Sequence, residues 1–143
     1  MDRIEGILRS IARQHQLKSQ ADGPLHTTAV ELTEQGVLVS FRNGRQQSIS
    51  VSQHAGFYRL VSVILKRRSV EKIGRKKILP FIWLRNRETN TIAFSLDRQG
   101  RLIGSIEQLS ETADAHEVFH YLEYLAWECD QLEYLLQGVE DTK

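Results

Sequence analysis

The sequence predicts an α+β fold: an antiparallel sheet of about five to six strands flanked by N-terminal, middle and long C-terminal helices. Three observations carry this. Apolar stripes with helical period stand at both ends of the chain. Asn43-Gly44 and Arg98-Gln99-Gly100 each separate apolar runs of strand character. No linker, repeat or low-complexity tract interrupts residues 1–143, which read as a single α+β domain.

Residues 2–17 place Ile4, Ile7, Leu8 and Ile11 at i, i+3, i+4 and i+7, a helical stripe that His15 continues. Ala21-Asp22-Gly23-Pro24 is expected to stop that helix. Residues 27–33, TTAVELT, form a β-branched run that suits a strand. Residues 37–42, VLVSFR, put Val37, Val39 and Phe41 on one face, and 45–52, RQQSISVS, return with Ile49 and Val51. Asn43-Gly44 between them predicts a type I′ turn, whose two central residues need positive φ. Residues 57–65, FYRLVSVIL, read as a further strand, with the start of a helix as the alternative.

In residues 69–88 periodicity allows either a helix or a buried strand. Val70, Ile73, Phe81 and Leu84 share a helical stripe, but Pro80 removes a donor and disfavours α at Leu79. A helix broken or begun near Pro80 is the expectation. TIAFSLD at 91–97 and RLIGSIEQL at 101–109 make a second hairpin. In residues 114–137 Val118, Leu122, Leu125, Cys129, Leu132 and Leu136 are spaced 4, 3, 4, 3, 4, an unbroken seam. Asp114 or Thr112 is placed to cap this helix, and Gly138 to end it.

A chain of 143 residues, 41% hydrophobic and 26% charged, can bury a core without staples. The lone cysteine, Cys129, rules out an intrachain disulfide and fits a reducing compartment. Charges throughout residues 1–18 argue against a signal peptide, and the longest apolar run, ILPFIWL at 78–84, is too short for a bilayer. A cytoplasmic location without membrane contact is expected. Charge is segregated: residues 1–41 sum to −1, 42–101 to +11 and 102–143 to −9. The basic middle and acidic tail should lie near each other, within one subunit or across a dimer.

Residues 116–120, HEVFH, match the metalloprotease pattern H-E-x-x-H. A catalytic zinc needs a third protein ligand, and the extended pattern would require Gly and His where Glu123 and Ala126 stand. Both histidines also project away from the Val118–Leu136 seam. No metal and no cofactor are expected. There is no nucleophile elbow, P-loop or Gly-x-Gly-x-x-Gly, and Asp97 and Glu107 read as solvated strand carboxylates, so the chain does not look like an enzyme.

The stretch 66–77 carries Lys66, Arg67, Arg68, Lys72, Arg75, Lys76 and Lys77 against Glu71 alone. Such a patch can neutralise phosphates, which makes a nucleic-acid-binding regulator the alternative reading. It lacks neighbouring exposed aromatics for stacking, and the acidic tail offers an internal partner, so nucleic acid is the less favoured partner. On the last helix, His120, Tyr124, Trp127 and Tyr134 form a second stripe opposite the seam. Large aromatics so grouped suit a protein-binding surface, with Glu117, Glu123, Glu128 and Asp130 as its polar rim. Coverage of the same stripe by the first helix or the sheet is the competing expectation.

The stretch RNRETNTIAFSLDRQGRLIGSIEQL, with Asn86, Thr91–Asp97, Gly100 and Leu102–Leu109, resembles a turn, strand and hairpin shared by type III secretion chaperones and the YbjN-like family. AHEVFHYLEYLAWECDQLEYLL is similar to the closing helix of that fold, and the first 65 residues match it in element order. The resemblance implies a small, often dimeric, cytoplasmic protein without catalytic residues, an assembly chaperone or adaptor that binds a segment of a client protein. A subunit of a multi-protein assembly, such as a secretion apparatus or a carboxysome-like shell, would fit as client.

Overall fold

A computed structural model describes residues 2–17 and 27–141. The Ala21–Pro24 stop and His26 lie outside the described residues, as does the side chain of His15. The elements are α1 (Asp2–Leu17), β1 (Thr27–Leu32), β2 (Gly36–Phe41), β3 (Gln46–His54), β4 (Phe57–Leu65), α2 (Arg67–Ile73), α3 (Arg75–Glu88), β5 (Ala93–Leu96), β6 (Leu102–Leu109) and α4 (Ala115–Asp141). The strands form one sheet in the order β1-β2-β3-β4-β6-β5, with every neighbouring pair antiparallel.

The core lies between one face of this sheet and α4. All six seam residues from Val118 to Leu136 are fully buried. Facing them are alternate strand residues, among them Val39, Ile49, Leu60, Leu102 and Ile106. In β3 the alternation is strict: Gln47, Ile49 and Val51 are buried, while Ser48, Ser50 and Ser52 are exposed. α1 packs beside α4 and β1 through Ile4, Leu8 and Ile11. The helix meets the strands closely at Gly104, where an added Cβ would stand 2.6 Å from Cys129 Sγ and 3.3 Å from Leu125 Cδ1.

The first turn departs from expectation. Only Gly44 of the Asn43-Gly44 pair has positive φ, and Phe41 N–H bonds the Arg45 carbonyl at 3.0 Å. The loop is therefore three residues long and closed by a left-handed glycine, not a type I′ turn. Arg98-Gln99-Gly100 repeats this geometry, with Asp97 N–H on the Arg101 carbonyl at 2.9 Å. Asp97 holds that loop, since its Oδ1 accepts the N–H of Gln99 at 3.0 Å and of Arg101 at 2.8 Å. Among the described residues the pair with both members at positive φ is Ala55-Gly56, joining β3 to β4, at φ 50° and 84°. The hairpin dipeptide in the chain that is not Asn-Gly thus takes the Asn-Gly conformation.

The middle helix breaks at Gly74, at φ 97°, not at Pro80. Pro80 is the sixth residue of α3, where it frees only the Lys76 carbonyl. Both Lys76 and Pro80 are exposed, so water can take that acceptor. The break also divides the expected stripe: Val70 and Ile73 are buried on α2, whereas Leu84 on α3 is half exposed. Asn86 belongs to α3 rather than to a turn. Its amide donates to the Phe94 carbonyl at 2.9 Å and accepts the Phe94 N–H at 2.8 Å, which fixes α3 along the edge strand β5. α4 starts as expected, with Asp114 Oδ1 accepting Glu117 N–H at 2.8 Å. It runs through Gly138 to Asp141 rather than ending at the glycine.

Two outcomes follow for stability. A non-glycine residue in the left-handed region costs roughly 1–2 kcal/mol, less for Asn. Ala55→Asn is expected to stabilise the fold by about 0.5–1 kcal/mol, read as an upward shift of the urea midpoint; an unchanged or lower midpoint contradicts the turn assignment. Gly104→Ala is expected to cost about 1–3 kcal/mol, because the new methyl collides with Cys129; a neutral change would show that α4 does not approach the sheet so closely.

Candidate functional site

The four aromatic and histidine residues of the second stripe do not share one environment. His120 is exposed and stacks on Tyr124, ring centroids 6.2 Å apart. The Tyr124 hydroxyl donates to Thr89 Oγ1 at 3.0 Å, at the C-terminal end of α3, and the ring is half-buried. Trp127 is also half-buried, its ring edge-on to Phe41 of β2 at 5.5 Å. Tyr134 is 66% exposed, with the Arg45 guanidinium 5.1 Å from its ring. The stripe is a narrow outer strip on α4, open at His120 and Tyr134 and leaning on neighbours at Tyr124 and Trp127.

The expected acidic rim is corrected. Glu123 and Asp130 are buried, at 3% and 1% exposure. Asp130 Oδ1 accepts Arg45 Nε at 2.8 Å, an ion pair from the basic middle to the acidic tail. Arg85 pairs with Glu128 at 3.6 Å in the same sense. Glu117 accepts the Tyr58 hydroxyl at 2.7 Å. Burial first, and Glu117 second, push that hydroxyl far above its ordinary range, so it remains a donor. The sequence showed these acids beside the aromatics on the helical projection but not the lateral cover that α1 and β1–β3 give α4.

The basic residues Lys66, Arg67, Arg68, Lys72, Arg75, Lys76 and Lys77 are all exposed, the first four at and on α2 and the others opening α3. Arg67 Nε bonds Glu71 Oε1 at 2.9 Å. Beyond them lies a surface that sequence reasoning did not single out. On α3 Leu79, Trp83 and Leu84 are exposed at 52%, 61% and 49%, and only Ile78 is fully buried. Arg87 lies over the Trp83 ring at 4.7 Å. The signal was the run ILPFIWL: on a helix, seven consecutive apolar residues cover the whole circumference, and one core takes one side.

His116 and His120 of HEVFH are exposed on α4. Among the described residues no group of three or more His, Cys, Asp or Glu side chains can hold a metal ion. Cys129 is buried on the sheet-facing side of α4, and burial raises its thiol well above its ordinary value, which disfavours the reactive thiolate. Among the described residues no helix is long and apolar enough to cross a membrane.

Glu123 gives a test of the lateral cover. Burial raises its carboxyl, an effect that the Thr27 hydroxyl and His120 offset in part. Its Oε2 has no hydrogen-bond partner among the described residues. The folded state therefore binds this proton more tightly than the unfolded chain, and the contribution to stability is lost as pH rises from the ordinary carboxylate range through the raised value. Glu123→Gln is expected to raise Tm at neutral pH and to leave a flatter fall of Tm above pH ~4.5. A lower Tm at neutral pH would mean that the charged form is favourably held.

No family model and no curated protein matches the chain. Solved structures do. The crystal structure of the ExsC–ExsE complex matches with a TM-score of 0.51 at 15% identity, over 88% of this chain and 95% of that one. The Yersinia pestis type III secretion chaperone SycH in complex with a stable fragment of YscM2 gives 0.48 at 12%, over 84% and 91%. The HopA1–SchA chaperone–effector complex gives 0.49 at 10%, over 94% of each chain. The likeness is one of fold, and it is carried by a chain of the ExsC–ExsE complex. The chain shares its α+β fold with that structure.

Proposed function

We propose that the protein is a non-enzymatic protein-binding module, a small chaperone or adaptor that holds a segment of a client protein. The observation that carries this reading is the α3 surface. Leu79, Trp83 and Leu84 are large, apolar and exposed on one short helix, an arrangement that a soluble domain rarely leaves without a partner. Lys76, Lys77 and Arg87 stand among them. Apolar anchors interleaved with cations suit an amphipathic segment of acidic character, with Trp83 as the anchor that buries most area. The outer strip of α4 begins where α3 ends, at the Tyr124–Thr89 bond. His120, Tyr124, Trp127 and Tyr134 extend the same binding surface. The shared fold with a protein solved as a complex supports the reading.

Leu79→Ser combined with Trp83→Ser tests it. Both positions are exposed, so stability should change by no more than about 0.5 kcal/mol per site. The wild-type protein, in nuclease-treated extract, should capture a protein partner that the folded double variant does not. Capture that vanishes with nuclease, or that the double variant retains, would overturn the reading. A solution mass of two chains that falls to one in the double variant would assign this surface to a second copy instead. Tyr134→Ala should weaken capture with little effect on stability, whereas Trp127→Ala should cost about 2–3 kcal/mol through lost packing on Phe41.

A further inference from the structure

We infer that a cleft between α2, the start of α3 and the β5–β6 loop is a binding site for a phosphate group. The cleft encloses about 220 Å³ and is lined by Arg67, Glu71 and Arg75 on one side and Arg98, Gln99 and Gly100 on the other. Three arginines against one glutamate leave a net charge of +2, which matches a phosphate dianion. The seven basic residues of 66–77 are spread over the surface, but only Arg67 and Arg75 of them reach this cleft; Arg98 comes from a distant part of the sequence.

The loop that supplies Arg98 is held by its own hydrogen bonds. Asp97 ties down the N–H groups of Gln99 and Arg101 and also accepts Arg101 Nε at 2.8 Å. Partial burial works against the Asp97 carboxylate, yet these bonds outweigh it and hold the carboxyl below its ordinary value, so the loop keeps its anchor at neutral pH. Gly100, at φ 77°, lets the loop come close to α2: a Cβ there would stand 3.2 Å from Arg67 Cγ. The Arg67 stem thus lies along the loop, with Nε bonded to Glu71 and no further partner for the terminal nitrogens among the described residues. Arg75 and Arg98 have no carboxylate partner among the described residues. Guanidinium forks on facing walls suit the tetrahedral oxygens of phosphate, which accept bidentate pairs from several directions. No aromatic ring lines the cleft, so it has nothing on which a nucleobase can stack. The bound species is the phosphate group itself, free or on a phosphorylated side chain, rather than a nucleic acid.

This site is independent of the client surface on α3, and its test needs no client. Amide NMR of the full chain is titrated with inorganic phosphate at constant ionic strength, with chloride as control. Saturable shifts are expected at Glu71, Arg75, Gln99 and Gly100. Arg75→Gln with Arg98→Gln should weaken binding at least about tenfold, equivalent to about 1.4 kcal/mol. Arg68→Gln with Lys76→Gln removes the same charge outside the cleft and should change affinity less than about twofold. A phosphoserine peptide that binds more tightly than inorganic phosphate and uses the same amides identifies a phosphorylated chain as the source; equal affinities identify the free group. Shifts that fail to saturate, equal losses in both double variants, or an RNA oligomer that binds and weakens equally in both would overturn the site and leave only general attraction to a basic surface.

Discussion

Everything in this molecule depends on how closely one helix can lie on one sheet. The six buried seam residues of α4 meet the inward residues of β2, β3, β4 and β6, and the approach is set at Gly104, where Cys129 takes the place a side chain would fill. Burial of apolar area is worth roughly 25 cal/mol per Å², so a long helix that is buried along one whole face supplies a large share of the driving force. With α4 seated, α1 has a wall to lean on and the β4–β6 pairing has a reason to form across the long excursion through α2, α3 and β5. α1, α2 and α4 gather on one face and the serines of β3 stay on the other.

The same seating explains the polar groups beneath and beside α4. Gln47 is buried between β3 and the helix, accepts the Ser62 hydroxyl at 2.9 Å and donates to Glu133. Tyr58 reaches Glu117, and Arg45 reaches Asp130. The bonds to Glu133, Glu117 and Asp130 each join the sheet or its loops to α4 at a different height. A hydrogen bond of this kind adds little net stability, but a broken one leaves a buried group unsatisfied. Together they fix the register of the helix over the strands more sharply than leucine contacts alone.

Period-two and period-3.6 patterns are strong where one side of an element faces the core, and there the sequence was legible. The α4 seam, the α1 stripe and the alternation in β2 and β3 all read correctly for that reason. The turns read less well because dipeptide preference is a weak term beside register: Ala55-Gly56 takes the strained conformation since β3 and β4 are pinned by their apolar faces. The middle helices read worst. Proline looked like the break, but Gly74 alone reaches φ 97°, and a proline near a helix start disturbs only exposed backbone. The candidate surface was partly misread for a related reason. A helical wheel shows what lies opposite a seam, not what packs from the sides, so Glu123 and Asp130 looked like rim while α3 went unnoticed.

Asn86 has a meaning beyond holding a helix in place. A strand at the end of a sheet offers unpaired N–H and C=O groups to any other extended chain, and six-stranded sheets with apolar edges are templates for aggregation. At β5 the Asn86 carboxamide, a side-chain copy of a peptide group, engages both Phe94 groups as a seventh strand would. The sheet is thereby terminated on this side by one residue, and self-assembly through strand addition is left to the opposite edge, β1.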